Sequence, residues 1–295
     1  MIITCLIGDP VEHSVSNYMY NYFAEKVGLD YSHVKFEVSS DNENNFKAAI
    51  QSLRTLNIRG ANITLPYKLE VIKYLDEIDE TAALIGAVNT IVNKDGKLIG
   101  YNTDGKGALL AIDKHLKKIT REDKVVVFGA GGAARAIIFE ISKRTNNITI
   151  VNRPPDFYLA ENIKKDFEKI NARIKVLLLN DKNIIHTVID SDFIINATSV
   201  GMFPYIKDSL LSELHFCEID SFSPIKNKYF FDVVYNPYLT KFLSTAKGYK
   251  AKVCSGLFMM IYQGVRSFRL WTERDVDDKY VRGVSNLLKQ KLYAR

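Results

Sequence analysis

The sequence has few cysteines and no long apolar run, and both shortages limit what kind of protein it can be. Its three cysteines, Cys5, Cys217 and Cys254, lie far apart among apolar neighbours and follow no metal-binding spacing. We therefore expect buried free thiols and no metal site. No stretch approaches the roughly 18 apolar residues of a membrane span, and residues 1–7 form a strand pattern without the basic leader of a signal peptide. These features predict a cytoplasmic protein without a membrane partner.

A strong excess of one charge is also lacking, because 40 basic residues stand against 34 acidic residues and leave a net charge of +6. The basic residues are spread along the chain, which gives little support for a nucleic-acid partner. A hydrophobic content of 47% and a charged content of 25% are typical of soluble globular proteins. The length of 295 residues allows two domains of ordinary size.

Glycine accounts for only 16 residues, yet several of them cluster directly after the apolar segment Val125–Phe128. An apolar strand, a glycine turn and a helix start predict the dinucleotide-binding fingerprint Gly-x-Gly-x-x-Ala at Gly129, Gly131 and Ala134. The first glycine permits the turn, the second lets the backbone approach a pyrophosphate, and the small third residue lets the helix pack on the strand. Free N–H groups at the helix start favour the phosphates. We assign the phosphate contacts to Gly129, Ala130, Gly131, Gly132 and Ala133.

Two charged residues beyond the next predicted strand, residues 148–151, bear on the choice of cofactor. Arg153 offers a planar guanidinium that suits the 2′-phosphate of NADP, although the simpler interpretation is a solvated surface arginine. Asp156 could accept a hydrogen bond from the unphosphorylated ribose of NAD, or repel the phosphate. Because Asn152 and Arg153 lie nearer the strand end, we expect NADP as the cofactor, with NAD also possible.

Strand and helix patterns alternate along the chain and predict an α/β fold. The alternation runs through residues 1–104 without a glycine fingerprint, and it starts again with the fingerprint in residues 105–255. Residues 89–101 read as a hairpin with a glycine turn, and residues 256–271 and 276–292 read as helices. Two α/β domains with a cleft between them are the simplest architecture.

Polar side chains follow several predicted strands, at the points where open α/β sheets place ligands. Ser14 and Ser16 flank a helix start and could hold a carboxylate, but Ser16 could equally be a simple helix N-cap. Lys68 is predicted in the first turn of a helix that starts near Pro66, an unfavourable place for a cation. A lysine and an aspartate such as Asp104 could transfer a proton to a carbonyl or alcohol oxygen. Spacing alone does not pair these two residues.

The chain resembles the shikimate dehydrogenase family in a series of short blocks that follow one another in the family's order along nearly the whole sequence. The blocks are Gly8-x-Pro10-x-x-His13-Ser14-x-Ser16, Asn62-Ile63-Thr64-x-Pro66-x-Lys68, Ile85-Gly86-Ala87-Val88-Asn89-Thr90, Gly100-Tyr101-Asn102-Thr103-Asp104-Gly105, Gly129-Ala130-Gly131-Gly132-Ala133-Ala134-Arg135-Ala136, Asn152-Arg153, Asn196-Ala197-Thr198 with Gly201-Met202, Tyr235-Asn236-Pro237-x-x-Thr240, Gln263-Gly264 and Leu270-Trp271-Thr272.

The resemblance implies a role for each candidate site residue. Lys68 and Asp104 would be the catalytic pair at the oxygen that interconverts between ketone and alcohol. The residues expected to bind the ring carboxylate are Ser14, Ser16 and Tyr235, and those expected to bind the ring hydroxyls are Thr64, Asn89, Asp104 and Gln263. Thr198, Gly256 and Met259 would join the fingerprint, Asn152, Arg153 and Asp156 at the cofactor. Residues 1–104 would form an N-terminal α/β substrate domain, and the C-terminal helices of residues 256–295 would pack on it. Residues 105–255 would form a Rossmann NAD(P)-binding domain.

The chain also departs from the family's usual residues. Asn17 and Tyr20 stand where a proline and a histidine are usual, and Pro154 follows Arg153 where a threonine is usual, as in the quinate/shikimate branch. We predict NADP-dependent, reversible reduction of 3-dehydroshikimate to shikimate, a step of aromatic amino-acid biosynthesis, by a monomer or homodimer. The alternatives are use of quinate or of NAD, another cyclic polyol as substrate, and a non-catalytic nucleotide-binding relative.

Overall fold

The computed structural model describes residues 1–170, 172–213 and 225–293. The strands of the described residues are β1 (Ile2–Gly8), β2 (Tyr31–Glu37), β3 (Gly60–Ile63), β4 (Glu77–Ile78), β5 (Thr90–Lys94), β6 (Lys97–Tyr101), β7 (Val125–Phe128), β8 (Ile148–Asn152), β9 (Ile174–Leu178), β10 (Phe193–Asn196), β11 (Tyr229–Asp232) and β12 (Lys252–Cys254). The α-helices are α1 (Ser16–Lys26), α2 (Glu43–Thr55), α3 (Glu80–Ile85), α4 (Asp104–His115), α5 (Gly132–Ser142), α6 (Phe157–Glu168), α7 (Ile184–Asp190), α8 (Leu210–Glu213), α9 (Lys241–Gly248), α10 (Gly256–Thr272) and α11 (Asp278–Tyr293).

The chain divides into two compact units that are not continuous in sequence. Met1–Asp104 and the segment from Ile261 onward form the first unit, and Gly105–Met260 forms the second. Helix α10 therefore starts in the second unit and continues in the first. The sequence alone places this change at residue 256, at the start of the helix, whereas the structure places it between Met260 and Ile261.

The first unit is built on a mixed six-stranded sheet with the order β2-β1-β3-β5-β6-β4. Strand β1 is parallel to β2 and β3, while β5 is antiparallel to β3 and β6. The hairpin of β5 and β6 turns at Asp95 and Gly96, whose φ angles of 53° and 87° suit a tight two-residue turn. Pairing of Thr90 with Tyr101 brings the start of β5 next to the end of β6.

One face of helix α10 packs on this sheet through Trp271. The indole Nε1 donates a hydrogen bond of 2.8 Å to the carbonyl oxygen of Ile91, and the side chain is fully buried. A Cβ on Gly60 would lie 2.2 Å from that Nε1, so the strand needs glycine where the indole crosses it. Helix α11 then packs against α1, which attaches the C-terminal segment to the first unit.

The second unit is built on a fully parallel six-stranded sheet with the order β12-β11-β10-β7-β8-β9. Read from β9, this is the doubly wound order in which the third, second and first strands are followed by the fourth, fifth and sixth. The strand order reverses between β7 and β10, and ligands of such sheets bind beyond the carboxyl ends of the strands at that point. The glycine cluster follows β7, so it lies at the switch point.

The segment after Pro66 and the cysteines can be compared with the sequence expectations. The helix predicted from Lys68 is wrong, because the segment forms a turn followed by a short 3-10 helix over Glu70–Tyr74. Lys68 therefore precedes the helical residues. Cys5 and Cys254 are buried free thiols as predicted, and Cys217 lies outside the described residues. No helix of the described segments is both long enough and apolar enough to cross a membrane.

Candidate active site

Four polar segments of the first unit lie at one edge of its sheet because of the strand directions. The parallel strands β1 and β3 both end at this edge and are followed by the segments that carry Ser14 and Thr64. Because β5 runs antiparallel to β3, its preceding residue Asn89 lies at the same edge. Strand β6 returns there and is followed by Asp104. The topology thus collects residues that are far apart in sequence.

Lys68 and Asp104 form a shielded ion pair at this edge. Lys68 Nζ lies 2.5 Å from Asp104 Oδ2, and only 15% and 6% of the two side chains are exposed. Asp104 is the first residue of helix α4, where a negative charge is favourable. Its backbone N–H donates to Asn102 Oδ1 over 3.1 Å, which fixes the start of the helix. The pairing that spacing alone left open is therefore present in the structure.

The side chain of Asn89 connects this ion pair to helix α10. Its Nδ2 lies 2.9 Å from Asp104 Oδ1, 2.9 Å from Thr103 Oγ1 and 3.2 Å from Gln263 Oε1. The amide orientation follows from its other end, because the backbone N–H of Thr103 donates to Asn89 Oδ1 over 2.8 Å. One amide thus holds the second carboxylate oxygen of Asp104 and the side chain of Gln263. The structure brings four sequence-predicted residues into direct contact.

A buried polar layer beneath Asn89 was not identified from the sequence. The Tyr20 hydroxyl donates to Asn62 Oδ1 over 2.7 Å, and Asn62 Nδ2 in turn lies 3.2 Å from Thr90 Oγ1. Thr90 Oγ1 and Ser267 Oγ are 2.8 Å apart. Burial raises the pKa of the Tyr20 phenol, so this group stays a neutral hydrogen-bond donor. The layer joins α1, β3, β5 and α10 through buried side chains.

Two sequence signals could have revealed part of this layer. Asn62 is a polar residue within the otherwise apolar strand β3. Ser267 lies one helical turn after Gln263 on helix α10, and Trp271 lies one turn further, so the three share a face. A polar residue on the buried face of an element usually requires buried partners.

Ser14 and Ser16 form a hydroxyl pair at the start of helix α1. Their Oγ atoms are 3.1 Å apart, and the backbone N–H of Ser16 donates to Ser14 Oγ over 3.2 Å. The N-cap residue is Val15, which makes no side-chain cap bond, so Ser16 is the first helical residue and not a cap. Thr64 follows β3 beside Gly8, where an added Cβ would lie 2.2 Å from Thr64 Cγ2.

The glycine cluster of the second unit has the geometry that the fingerprint predicts. Gly129 follows β7 with φ of 102°, and an added Cβ there would lie 2.9 Å from Thr198 Cγ2. An added Cβ at Gly131 would meet no atom within 4 Å, so the backbone is open on that side. Gly131 is the N-cap of α5 and makes no side-chain cap bond, which leaves the first N–H groups of the helix to a ligand. A pyrophosphate fits this arrangement.

Asn152, Arg153 and Asp156 form one structured turn after β8. Asn152 Nδ2 donates to the backbone oxygen of Asp156 over 2.7 Å, and the Arg153 guanidinium pairs with the Asp156 carboxylate. Pro154 and Pro155 lie between them in a short 3-10 turn. Arg153 remains 66% exposed. The two residues that the sequence sets against each other as cofactor determinants are therefore partners.

A buried carboxylate ties the ends of β10 and β11 together. Asp232 Oδ1 accepts hydrogen bonds of 2.9 Å from Asn196 Nδ2 and from the N–H of Val234, and Oδ2 accepts one of 2.6 Å from Thr240. Asn196 Oδ1 accepts from the Thr198 hydroxyl over 2.6 Å. Burial raises the pKa of Asp232 to about 7, although these three uncharged donors oppose the shift. The network positions the segments that follow both strands.

The remaining predicted residues also lie in the second unit. Tyr235 belongs to the segment that follows β11. Gly256 begins α10 so close to β11 that an added Cβ would lie 2.1 Å from the carbonyl oxygen of Val233. Met259 follows one turn later and is buried. Among the described residues, no group of three or more His, Cys, Asp and Glu side chains could hold a metal ion.

The raised pKa of Asp232 predicts a pH-dependent stability. The folded state favours the protonated carboxyl of Asp232. The contribution of this group to the free energy of unfolding is therefore fully present below about pH 4 and is lost as pH rises through about 7. The free energy of unfolding of the wild type should fall relative to that of Asp232→Asn across this window, by roughly 1 kcal/mol per pH unit. Urea unfolding of both proteins between pH 4 and 8 measures the difference. Parallel curves would show that the three donors keep the pKa of Asp232 low.

Comparisons with known proteins agree with this geometry. The family model described as the shikimate dehydrogenase substrate binding domain matches residues 6–91, and the model of the shikimate 5′-dehydrogenase C-terminal domain matches residues 256–284. The shikimate dehydrogenase (NADP(+)) of Methanocaldococcus jannaschii is 41% identical over 90% of this chain and 90% of its own.

Solved structures are similar over the same length. A shikimate dehydrogenase in complex with NADP+ has a TM-score of 0.83 and 38% identity, covering 97% of this chain and 94% of that one. A shikimate 5-dehydrogenase from Listeria monocytogenes in complex with shikimate and NAD has a TM-score of 0.82 and 33% identity, covering 96% of both chains. With this identity over nearly the whole length, the chain belongs to the shikimate dehydrogenase family.

Proposed function

We propose that this protein catalyses the reversible, NADP-dependent reduction of 3-dehydroshikimate to shikimate. The observation that carries the proposal is the shielded Lys68–Asp104 pair, held by Asn89 in one unit of a chain whose other unit is a doubly wound nucleotide-binding sheet. The family membership and the relatives named shikimate dehydrogenase (NADP(+)) support the same substrate and cofactor. The reaction serves aromatic amino-acid biosynthesis.

In this mechanism Lys68 moves the proton. Its ammonium carries three N–H groups, and one of them is engaged by Asp104, which leaves N–H groups that can donate to the ketone oxygen. NADPH, when bound, supplies the hydride. Lys68 gives its proton to the oxygen as charge develops there, and in the oxidising direction it takes the proton back. Burial of the pair strengthens this interaction because little water screens it.

Asp104 orients Lys68. One carboxylate oxygen holds the ammonium, and the other is held by Asn89, so the carboxylate cannot rotate without breaking both contacts. The same rigidity places the acid before substrate binds and lowers the entropy cost of reaching the reactive geometry.

We assign substrate binding to polar side chains of both units. Ser14, Ser16 and Tyr235 would donate hydrogen bonds to the ring carboxylate, since three hydroxyl donors match a carboxylate's several lone pairs. Thr64, Asn89 and Gln263 would bind the ring hydroxyls. The convergence of the serines, Thr64, Asn89 and Asp104 at one sheet edge supports this assignment.

Cofactor binding is assigned to the second unit. The backbone from Gly129 to Ala133 and the start of α5 would hold the pyrophosphate, and Arg153 would hold the 2′-phosphate. Thr198, Gly256 and Met259 would lie along the rest of the dinucleotide. The open side of Gly131 and the uncapped helix start support this placement.

The location and the assembly of the protein are inferred from its sequence. We infer a cytoplasmic protein, supported by the free thiols of Cys5 and Cys254. The assembly is a monomer or a homodimer.

Steady-state rates with shikimate and quinate, each with NADP+ and NAD+, test the proposed reaction. Shikimate with NADP+ should give the highest kcat/KM. Lys68→Ala should lower kcat by roughly 10²–10⁴, the usual contribution of positioned acid–base catalysis, with a smaller change in KM. Lys73→Ala, at an exposed lysine of the same segment, is the matched control and should leave both constants unchanged. Preferred oxidation of quinate, or no turnover of shikimate with either cofactor, would contradict the proposal.

Cofactor preference tests the Arg153–Asp156 turn. An exposed pair at this spacing contributes at most about 1 kcal/mol, so a doubly charged phosphate should displace Asp156 from Arg153. Arg153→Ala should therefore lower kcat/KM for NADP+ by about tenfold or more and leave NAD+ use unchanged. Asp156→Ala should change NADP+ use far less. An enzyme that prefers NAD+, or that ignores the loss of Arg153, would show that Asp156 governs the choice.

A further inference from the structure

Two charged side chains of strand β2 hold the loop that carries the candidate carboxylate anchor. The loop, residues 9–15, runs from the end of β1 to the start of α1 and is called here the anchor loop. Lys35 and Glu37 are two residues apart on β2, so their side chains leave the same face of the sheet. Both reach the anchor loop, and they contact opposite kinds of backbone group.

The contacts divide between the two charges. Lys35 Nζ donates to the carbonyl oxygens of Glu12 and Ser14 over 2.7 and 3.1 Å. Glu37 Oε2 accepts from the backbone N–H of Val11 over 3.0 Å. These backbone groups lie outside the strands and helices, so side chains supply their hydrogen bonds.

Lys35 acts directly on the peptide group of a candidate substrate-binding residue. The N–H of Ser14 donates to the carbonyl oxygen of Val11 over 3.0 Å, and its carbonyl accepts from Lys35. Ser14 is thus held on both sides of its Cα, and its hydroxyl is placed 3.1 Å from that of Ser16. The Lys35 ammonium contacts the backbone of Ser14 itself, so its positive charge lies near the hydroxyl pair. An anion that binds the two hydroxyls would be attracted by that charge.

We propose that Lys35 is a positioning residue for substrate: it fixes the anchor loop so that Ser14 and Ser16 present their hydroxyls together, and it draws the substrate carboxylate to them. This inference rests on the proposed function, because the serines bind a carboxylate only if the substrate carries one. Fixing the loop in advance lowers the entropy that ligand binding must otherwise remove. The effect falls on substrate affinity and not on the proton transfer at Lys68.

A structural role and a positioning role predict different measurements. The Lys35 contact with Glu12 is exposed and that with Ser14 is only part-buried, so their loss returns the carbonyls to water at little cost in stability. Lys35→Met keeps the apolar stem and removes the charge. It should raise KM for shikimate by roughly three- to tenfold, the range that one net hydrogen bond converts to. The values of kcat, KM for NADP+ and Tm should stay close to those of the wild type.

Two further variants complete the experiment. Lys35→Arg keeps a donor and a positive charge and should restore most of the substrate affinity. Lys94→Met removes an exposed lysine at the end of β5 and should leave KM for shikimate unchanged. Raised salt should increase KM for shikimate of the wild type more than that of Lys35→Met. Salt screens the Lys35 charge, which only the wild type carries.

Each outcome decides between the roles. A Lys35→Met protein with an unchanged KM for shikimate overturns the proposal while the proposed function stands. A variant with a lowered Tm and equal increases of KM for substrate and cofactor shows a purely structural role and also overturns it. A wild-type protein that does not turn over shikimate at all removes the proposed function first, independently of Lys35.

Discussion

A carboxylate shielded from water needs a hydrogen-bond partner for each oxygen, and Asp104 obtains both from side chains. Lys68 engages one oxygen and Asn89 engages the other. Leaving either partner out would leave a buried charge unsatisfied, which costs more than the pair itself gains. The orientation of Asn89 is set in turn by the backbone of Thr103 and by Gln263 of α10. Helix α10 therefore helps to hold the ion pair, and Trp271 attaches this helix to the sheet.

The second unit also supplies partners for both oxygens of a buried acid, Asp232. At the ends of β10 and β11, Asp232 accepts hydrogen bonds from the side-chain amide of Asn196 and from the backbone N–H of Val234. Gly131 leaves the start of α5 uncapped, so that helix has N–H groups without side-chain partners. One unit thus presents charged and amide side chains, and the other presents backbone donors. These are the groups that a polyhydroxy acid and a dinucleotide respectively require.

Local sequence signals predicted the elements well, and non-local pairings poorly. The apolar run before Gly129 predicts a strand and a glycine turn, and the Asp95-Gly96 pair predicts a hairpin. Both patterns are local, so the sequence alone was sufficient. The helix expected from Lys68 was wrong because the chain turns there before a short 3-10 helix. Pairing of Lys68 with Asp104 depends on the register of β5 and β6, which spacing does not give. Arg153 and Asp156 are only three residues apart, yet the sequence alone does not show whether they pair with each other or compete for the cofactor.

A double-mutant cycle on kcat for shikimate oxidation shows whether Lys68 and Asp104 act as one proton-transferring unit. The four proteins are the wild type, Lys68→Met, Asp104→Asn and the double variant, with Tm measured for each to show that they fold. If the residues work as a unit, the double variant should be about as slow as the slower single variant, because the second substitution removes nothing further. Multiplicative losses, with the double variant slower by the product of the two single effects, would contradict the claim.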